Sequence, residues 1–327
     1  MAEFIEEGSY VATSDEESET DEPRFGSALT CEEVINCLHR VGKSGWHDLA
    51  CLKLNVSYKN LTDVSVIPSH FGHVRHVNVS GNKLTSEALR VLETMPHLEV
   101  LQADRNRLTS AELKPMNSLE KLTLNMNKLT YAGTSVISHE SLKHLELNHN
   151  LISTVAFEAE KLPNLTLLEL CDNALTTTAG ICSSNLKELF LAGNQIEKIE
   201  QLRNLENLKI LHLRNNKLAN LDGFSNKCLN LNYINLRNNE ISKISELTKL
   251  SCLQNLETLI ILENPFLRKI EQEEEGRKYR RIVLMMLPRL KKIDKELVLD
   301  QERNEANELL QKMQNEGYGF TDFDLED

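Results

Sequence analysis

The sequence predicts an α/β leucine-rich-repeat solenoid: a horseshoe with a parallel sheet on its concave side, short helical or 3-10 turns on its convex side, and a helical cap at each end. Three observations carry that reading. The stretch Leu208 to Leu218 spells LxxLxLxxNxL. The same frame returns around Asn82, Asn106, Asn127, Asn150, Asn173, Asn194, Asn216, Asn239 and Asn264, at intervals of 21 to 25 residues. A period of that size is the mark of stacked coils, because one such unit cannot bury its apolar face without a neighbour. Finally, the fourth and sixth places of each frame are apolar while their neighbours are mixed, which is the two-residue period of a strand. A degenerate copy reads Cys51, Leu54, Val56, Lys59, Leu61, with lysine in the asparagine's place, so about ten repeats are expected over 51–266.

The chemistry of the frame explains its letters. Each leucine enclosed between coils contributes on the order of 1.5–3 kcal/mol. The asparagine sits where the chain leaves the strand, and its amide both donates and accepts, so it can pair backbone groups that the turn would otherwise orphan. Leaving one such buried group unpaired costs roughly 1–3 kcal/mol.

Composition narrows the function classes. Seven cysteines, odd in number and without a Cys-x-x-Cys pair, fit neither a disulfide framework nor a zinc site and point to a reducing compartment. No basic region followed by an apolar run opens the chain and no apolar stretch is long enough to span a bilayer, so a cytosolic protein is expected. The net charge of −12 is unevenly spread: residues 1–27 hold nine acids and one base, and 296–327 hold ten acids and two bases. The repeats between them are therefore mildly basic.

Residues 1–27 are dense in charge and poor in apolar side chains, which predicts a disordered acidic tail. Thr13, Ser14 and Ser18 each precede an acid by three residues, so acid-directed phosphorylation is one reading and a plain solubilising tail the other. Over 28–50, Thr30-Cys-Glu-Glu33 has capping-box spacing ahead of Val34, Ile35, Leu38 and Val41, and Gly42 is a stop. This predicts an amphipathic cap helix over the first coil, with Trp46 packed beneath it. Residues 267–299 should form the other cap: Ile282, Val283, Met286 and Leu287 trace one helical face that Pro288 ends. In 300–327, Ala306, Leu309, Leu310 and Met313 suggest a last helix ended by Gly317. Tyr318, Phe320 and Phe323 then sit among acids, which reads as a docking tail or as simple solvation.

The outward places of the strands should line the concave face, the recognition surface of a horseshoe. Glu146, Glu169 and Glu188 form an acidic group in adjacent coils. Beside them come Phe190, Ile210, His212, Arg214, Tyr233 and Arg237, and the final coil is expected to expose Ile260 and Leu262. Aromatic and arginine side chains gathered on one face are what interface hot spots are made of.

Two constellations suggest chemistry without supplying it. His70, His73 and His76 straddle a turn and a strand and should not converge on a metal. Cys171 with His144 and Glu169 lacks an oxyanion site. The sequence contains no phosphate-binding glycine loop, nucleophile elbow or zinc signature. It also contains no basic, aromatic-interleaved strip for RNA. No cofactor, metal, membrane, nucleic acid or small-molecule substrate is expected, and no enzymatic activity.

The C-terminal cap, with Tyr279, Val283-Leu284, Leu287-Pro288 and Ile293-Asp294, resembles that of the SDS-twenty-two-like leucine-rich-repeat class. Ala28 to Glu33, Asn60 to Val64, Ala103 to Leu108, Leu213 to Asn216, Gly223-Phe-Ser225, Leu236 to Asn238 and Ile293 to Glu296 resemble the leucine-rich repeat-containing protein 23 family over roughly 28–312. That resemblance implies a radial-spoke component of the axoneme of motile cilia and flagella. Such a protein would be cytoplasmic and cytoskeletal, bind other spoke or axonemal proteins, and support motility without an activity of its own. The cap class implies the alternative of a regulatory subunit of a protein phosphatase.

Overall fold

The computed structural model describes residues 26–44, 48–135, 137–267 and 278–324. The acidic tail over 1–25, with Thr13, Ser14 and Ser18, and Trp46 lie outside them. The frame folds as its spacing requires. One short strand per coil, from β3 (Asp48–Asn55) through β5 (His76–Asn78), β6 (Val100–Gln102) and β7 (Lys121–Thr123), pairs in parallel with the next. The ladder continues through β9 (His144–Glu146), β11 (Leu167–Glu169), β12 (Glu188–Phe190), β13 (Ile210–His212), β14 (Tyr233–Asn235) and β15 (Thr258–Ile260), while β8 (Tyr131–Gly133) and β10 (Thr154–Ala156) pair in parallel as a separate two-stranded sheet. Register is one coil per step: Leu211 faces Leu189 on one side and Ile234 on the other. The middle residue of each of these short strands points inward and is buried, as Val77, Leu101, Leu145, Leu189 and Ile234 show. Together with the following inward leucines they form one continuous core.

Each asparagine works on the coil before its own. Asn216 donates to the carbonyls of Leu191, Leu213 and Arg214, and its Oδ1 accepts from the Ile196 N–H of the preceding coil at 2.9 Å. Asn82 does the same for the first coil, accepting from Lys59 and Leu61 and donating to Val56. This explains why lysine is tolerated at 59: an asparagine there would serve a coil that does not exist. The residue just before the asparagine takes positive φ throughout, including Arg105 (52°), Met126 (54°), Asp172 (53°) and Asn238 (53°). Glycine fills this left-handed place at 81 and 193, where φ is +69°.

Both ends differ from a simple helical lid. The capping box forms as the spacing predicts, with the Glu33 N–H donating to Thr30 Oγ1 at 3.3 Å and the Thr30 N–H to Glu33 Oε2 at 2.9 Å. Yet α1 (Cys31–Cys37) buries Val34 and leaves Ile35 62% exposed. Residues expected to continue it instead form β2 (Leu38–Ser44), antiparallel to β3. An edge strand leaves a row of unpaired backbone groups, and a hairpin pairs them where a helix could not. Ahead of α1, β1 (Ser27–Ala28) pairs with β4 (Leu61–Asp63), so Ser27, the last residue of the stretch read as tail, belongs to a strand.

At the far end, α2 and α3, the short convex helices Val66–Phe71 and Ser86–Arg90 of early coils, have a longer counterpart in α4 (Lys278–Met286). It stops before Pro288 and buries Ile282, Val283, Met286 and Leu287. A further strand, β16 (Lys292–Ile293), then extends the sheet beside β15, and β17 (Glu296–Leu297) turns back on it. Asp294 accepts from the N–H groups of Ile261 at 2.7 Å and Leu262 at 3.1 Å, and the Tyr279 hydroxyl donates to its other oxygen at 2.9 Å. This is why the cap needs Tyr279 and Ile-Asp together: the carboxylate pairs the last coil's strand end and the phenol holds the carboxylate. Burial pushes the Asp294 carboxyl up, and burial followed by Asp294 itself pushes the Tyr279 phenol up. Finally α5 (Asp300–Glu316) packs on α4 and ends at Gly317, φ +79°.

Candidate functional site

The concave face consists of parallel rows, because in-register strands place equivalent side chains beside one another at the strand spacing of about 4.8 Å. One row runs His144, Leu167, Glu188, Ile210, Tyr233 and Thr258; the next runs Glu146, Glu169, Phe190, His212, Asn235 and Ile260. Beyond the strand ends, Arg214 and Arg237 stand in adjacent coils.

Within this array the structure brings three rings together. Phe190 and His212 stack with centroids 4.8 Å apart and planes at 21°, and His212 meets Tyr233 diagonally at 4.9 Å and 30°. The Phe190–His212 separation matches the strand spacing because the two are register partners, whereas His212 reaches Tyr233 across a diagonal. Such stacking adds about 0.5–1.5 kcal/mol per pair beyond area burial. Burial, and then the Arg214 charge, push the His212 imidazole down to about 4. At neutral pH it is therefore an uncharged ring in an aromatic strip. Burial also raises the Tyr233 phenol. Arg237 donates to Glu263, which lowers that carboxyl. Arg214 has no ion pair among the described residues.

The acidic group lies toward the N-terminal side and is partly engaged within the chain. Glu146 pairs with Lys121 Nζ at 2.6 Å and accepts from Asn125 Nδ2 at 3.2 Å, while Glu169 accepts from Asn148 Nδ2 at 2.6 Å. Glu188 stands diagonally beside them in the neighbouring row. Asp104, which sequence reasoning did not single out, accepts from Asn125 N–H at 2.7 Å and from the Thr123 hydroxyl at 3.1 Å. Its place at the seventh position of its frame was the available signal.

Other expected residues are placed differently. Ile260 is only 2% exposed and Leu262 half-buried, because β16 continues the sheet and β15 is not the last strand. The expectation that the final coil exposes Ile260 is thereby corrected. Tyr318 is exposed, but Phe320 and Phe323 pack against the chain's own core. The tail is held by the solenoid itself. His70 lies on α2, His73 in the following connection and His76 on β5, where it sits 3.5 Å from Glu99. His144 and Glu169 fall in different rows, and Cys171 lies beyond the strand.

A family model described as Leucine-rich repeat matches residues 177–318. The protein named Leucine-rich repeat-containing protein 23 from Bos taurus is 37% identical over 281 residues, covering 86% of this chain and 78% of its own. A protein phosphatase 1 regulatory inhibitor subunit PPP1R7 homolog from Arabidopsis thaliana is 30% identical over 184 residues, 53% of this chain and 55% of that one. Among solved structures, the TLR13–ssRNA13 complex superposes with a TM-score of 0.56 at 20% identity, over 74% of this chain and 35% of that chain, a likeness of fold. No helix among the described residues is long and apolar enough to cross a membrane.

Proposed function

The chain belongs to the leucine-rich repeat-containing protein 23 family, and from that premise we propose that it is a non-enzymatic scaffold of the ciliary or flagellar axoneme. In this reading it is a radial-spoke component that supports motility by binding other spoke or axonemal proteins through the C-terminal half of its concave face. The observation that carries the binding surface is the Phe190–His212–Tyr233 ladder with Arg214 and Arg237 beside it. Those side chains lose little conformational freedom on binding, since the sheet already holds them in place. The axonemal placement rests on the sequence resemblance to that family.

Glu146, Glu169, Glu188 and Ile210 extend the same surface, and Leu262 lies at its edge. A partner segment laid across the coils would meet carboxylates at one end and guanidinium groups at the other, so charge would set its direction. Phe190→Ala, Tyr233→Ala and Arg237→Ala combined should abolish capture of axonemal partners from ciliated-cell extract while leaving circular dichroism unchanged. Undiminished capture would remove the concave reading.

The phosphatase-regulator alternative is favoured by the cap and by the likeness to a protein phosphatase 1 regulatory subunit homologue. The two separate on fractionation: a spoke component stays with isolated axonemes through salt extraction, whereas a phosphatase regulator is recovered in detergent-soluble cytosol.

A further inference from the structure

A second surface, independent of the concave face, already holds a ligand: the chain's own C-terminal strap. After Gly317 the strap folds as a 3-10 helix, Phe320–Asp324, against the convex 3-10 helix Ile244–Cys252 of a late coil. In a 3-10 helix residues three apart eclipse one another, so Phe320 and Phe323 present one face, and both pack against the core. Asp324 completes the contact. Its carboxylate accepts the Ser245 backbone N–H at 3.2 Å and the Ser245 hydroxyl, near the start of the opposing helix, 79 residues away in sequence. Among the described residues, the contact is made by two rings three residues apart and a carboxylate directly after the second.

We propose that this convex site is a receptor for short acidic segments of the form Phe-x-x-Phe-Asp on a partner protein, and that the strap is its resident competitor. The strap joins α5 through Gly317, an exposed Tyr318 and Gly319, with the Gly317 and Tyr318 N–H groups both held by the Met313 carbonyl, so a short link keeps it beside the site. A five-residue contact is weak in intrinsic affinity and is held here by tethering, which supplies an effective concentration on the order of millimolar. A partner segment of the same chemistry enters when its own contacts elsewhere raise its local concentration above that level.

The test uses the full chain carrying Phe320→Ala and Phe323→Ala, and a fluorescent peptide of residues 317–327. Saturable binding to the variant is expected at least about tenfold tighter than to the unmodified chain, where the tethered strap competes. The same peptide with both phenylalanines replaced by alanine should not bind. Equal binding to both chains, or none to the variant, overturns the proposal. Full-length Asp324→Ala provides an independent opening of the site if the double variant fails to fold, with the same expectation. A concentration-dependent dimer of the unmodified chain that disappears in the double variant would show the strap acting between copies and would also overturn it.

Discussion

At the scale of the residue, the ladder asparagines set the cost of error. Asn216 pairs four backbone groups. Asn216→Ala should lower stability by roughly 1–3 kcal/mol for each buried group left without water or a partner, whereas Glu240→Ala, at an exposed position beside the next ladder asparagine, should be near neutral. Urea unfolding of both variants measures the contrast. His139 offers a second test. Its side chain is fully buried, Nδ1 accepts the Met116 N–H at 3.1 Å, Nε2 is without a partner, and burial lowers its pKa to about 4. With an unfolded value of 6.5, the unfolded chain binds this proton first as pH falls. The folded state's advantage is thus full above about 6.5 and declines between there and about 4. His139→Asn can keep an acceptor for Met116 but cannot titrate. Its melting temperature should fall less than the unmodified protein's between pH 7 and 5, even though its absolute stability is lower. His212 contributes in the same direction.

At the scale of the element, the C-terminal cap is the most tightly wired part. Arg280 is 2% exposed and donates to Glu302 Oε1 at 2.5 Å and to the carbonyls of Ile293 at 2.8 Å and Leu297 at 3.1 Å, tying α4, β16, β17 and α5 together. Arg280→Ala removes the guanidinium from Glu302 and from two carbonyls, and the expected loss is about 3–5 kcal/mol. Hydrogen exchange should show protection lost first over β16, β17 and α5, while the mid-solenoid strands keep theirs. Uniform loss along the solenoid would mean that the cap is not a separable unit. The N-terminal end uses a different device: β2 pairs the first strand as a hairpin, and α1 contributes mainly Val34 to the core.

At the scale of the whole molecule, stacking in register turns a repeated motif into continuous rows. The aromatic ladder, the two arginines and the acidic group therefore occupy defined places along one face rather than isolated sites. Neutral His212 leaves the ring strip uncharged at physiological pH, and in the proposed concave site Arg214 would meet a partner carboxylate. Arg214→Glu should weaken partner capture at least about tenfold, in keeping with like-charge penalties at interfaces, and leave melting unchanged. The strap adds a second surface away from the concave one, so a partner can engage two faces at once.

The period, the inward leucines, the ladder asparagines and the two cap helices were legible in the sequence, because each is set by alternation and turn chemistry within about a dozen residues. So were the outward places of the strands, since they follow from the inward ones, though Ile260 among them is buried. Only the tertiary structure decided how those residues meet: the rings stack across coils, β16 covers Ile260, a hairpin replaces the end of the first helix, and Asp324 reaches Ser245. Each of these depends on which segment lies beside another, and local periodicity carries no information about a neighbour dozens of residues away.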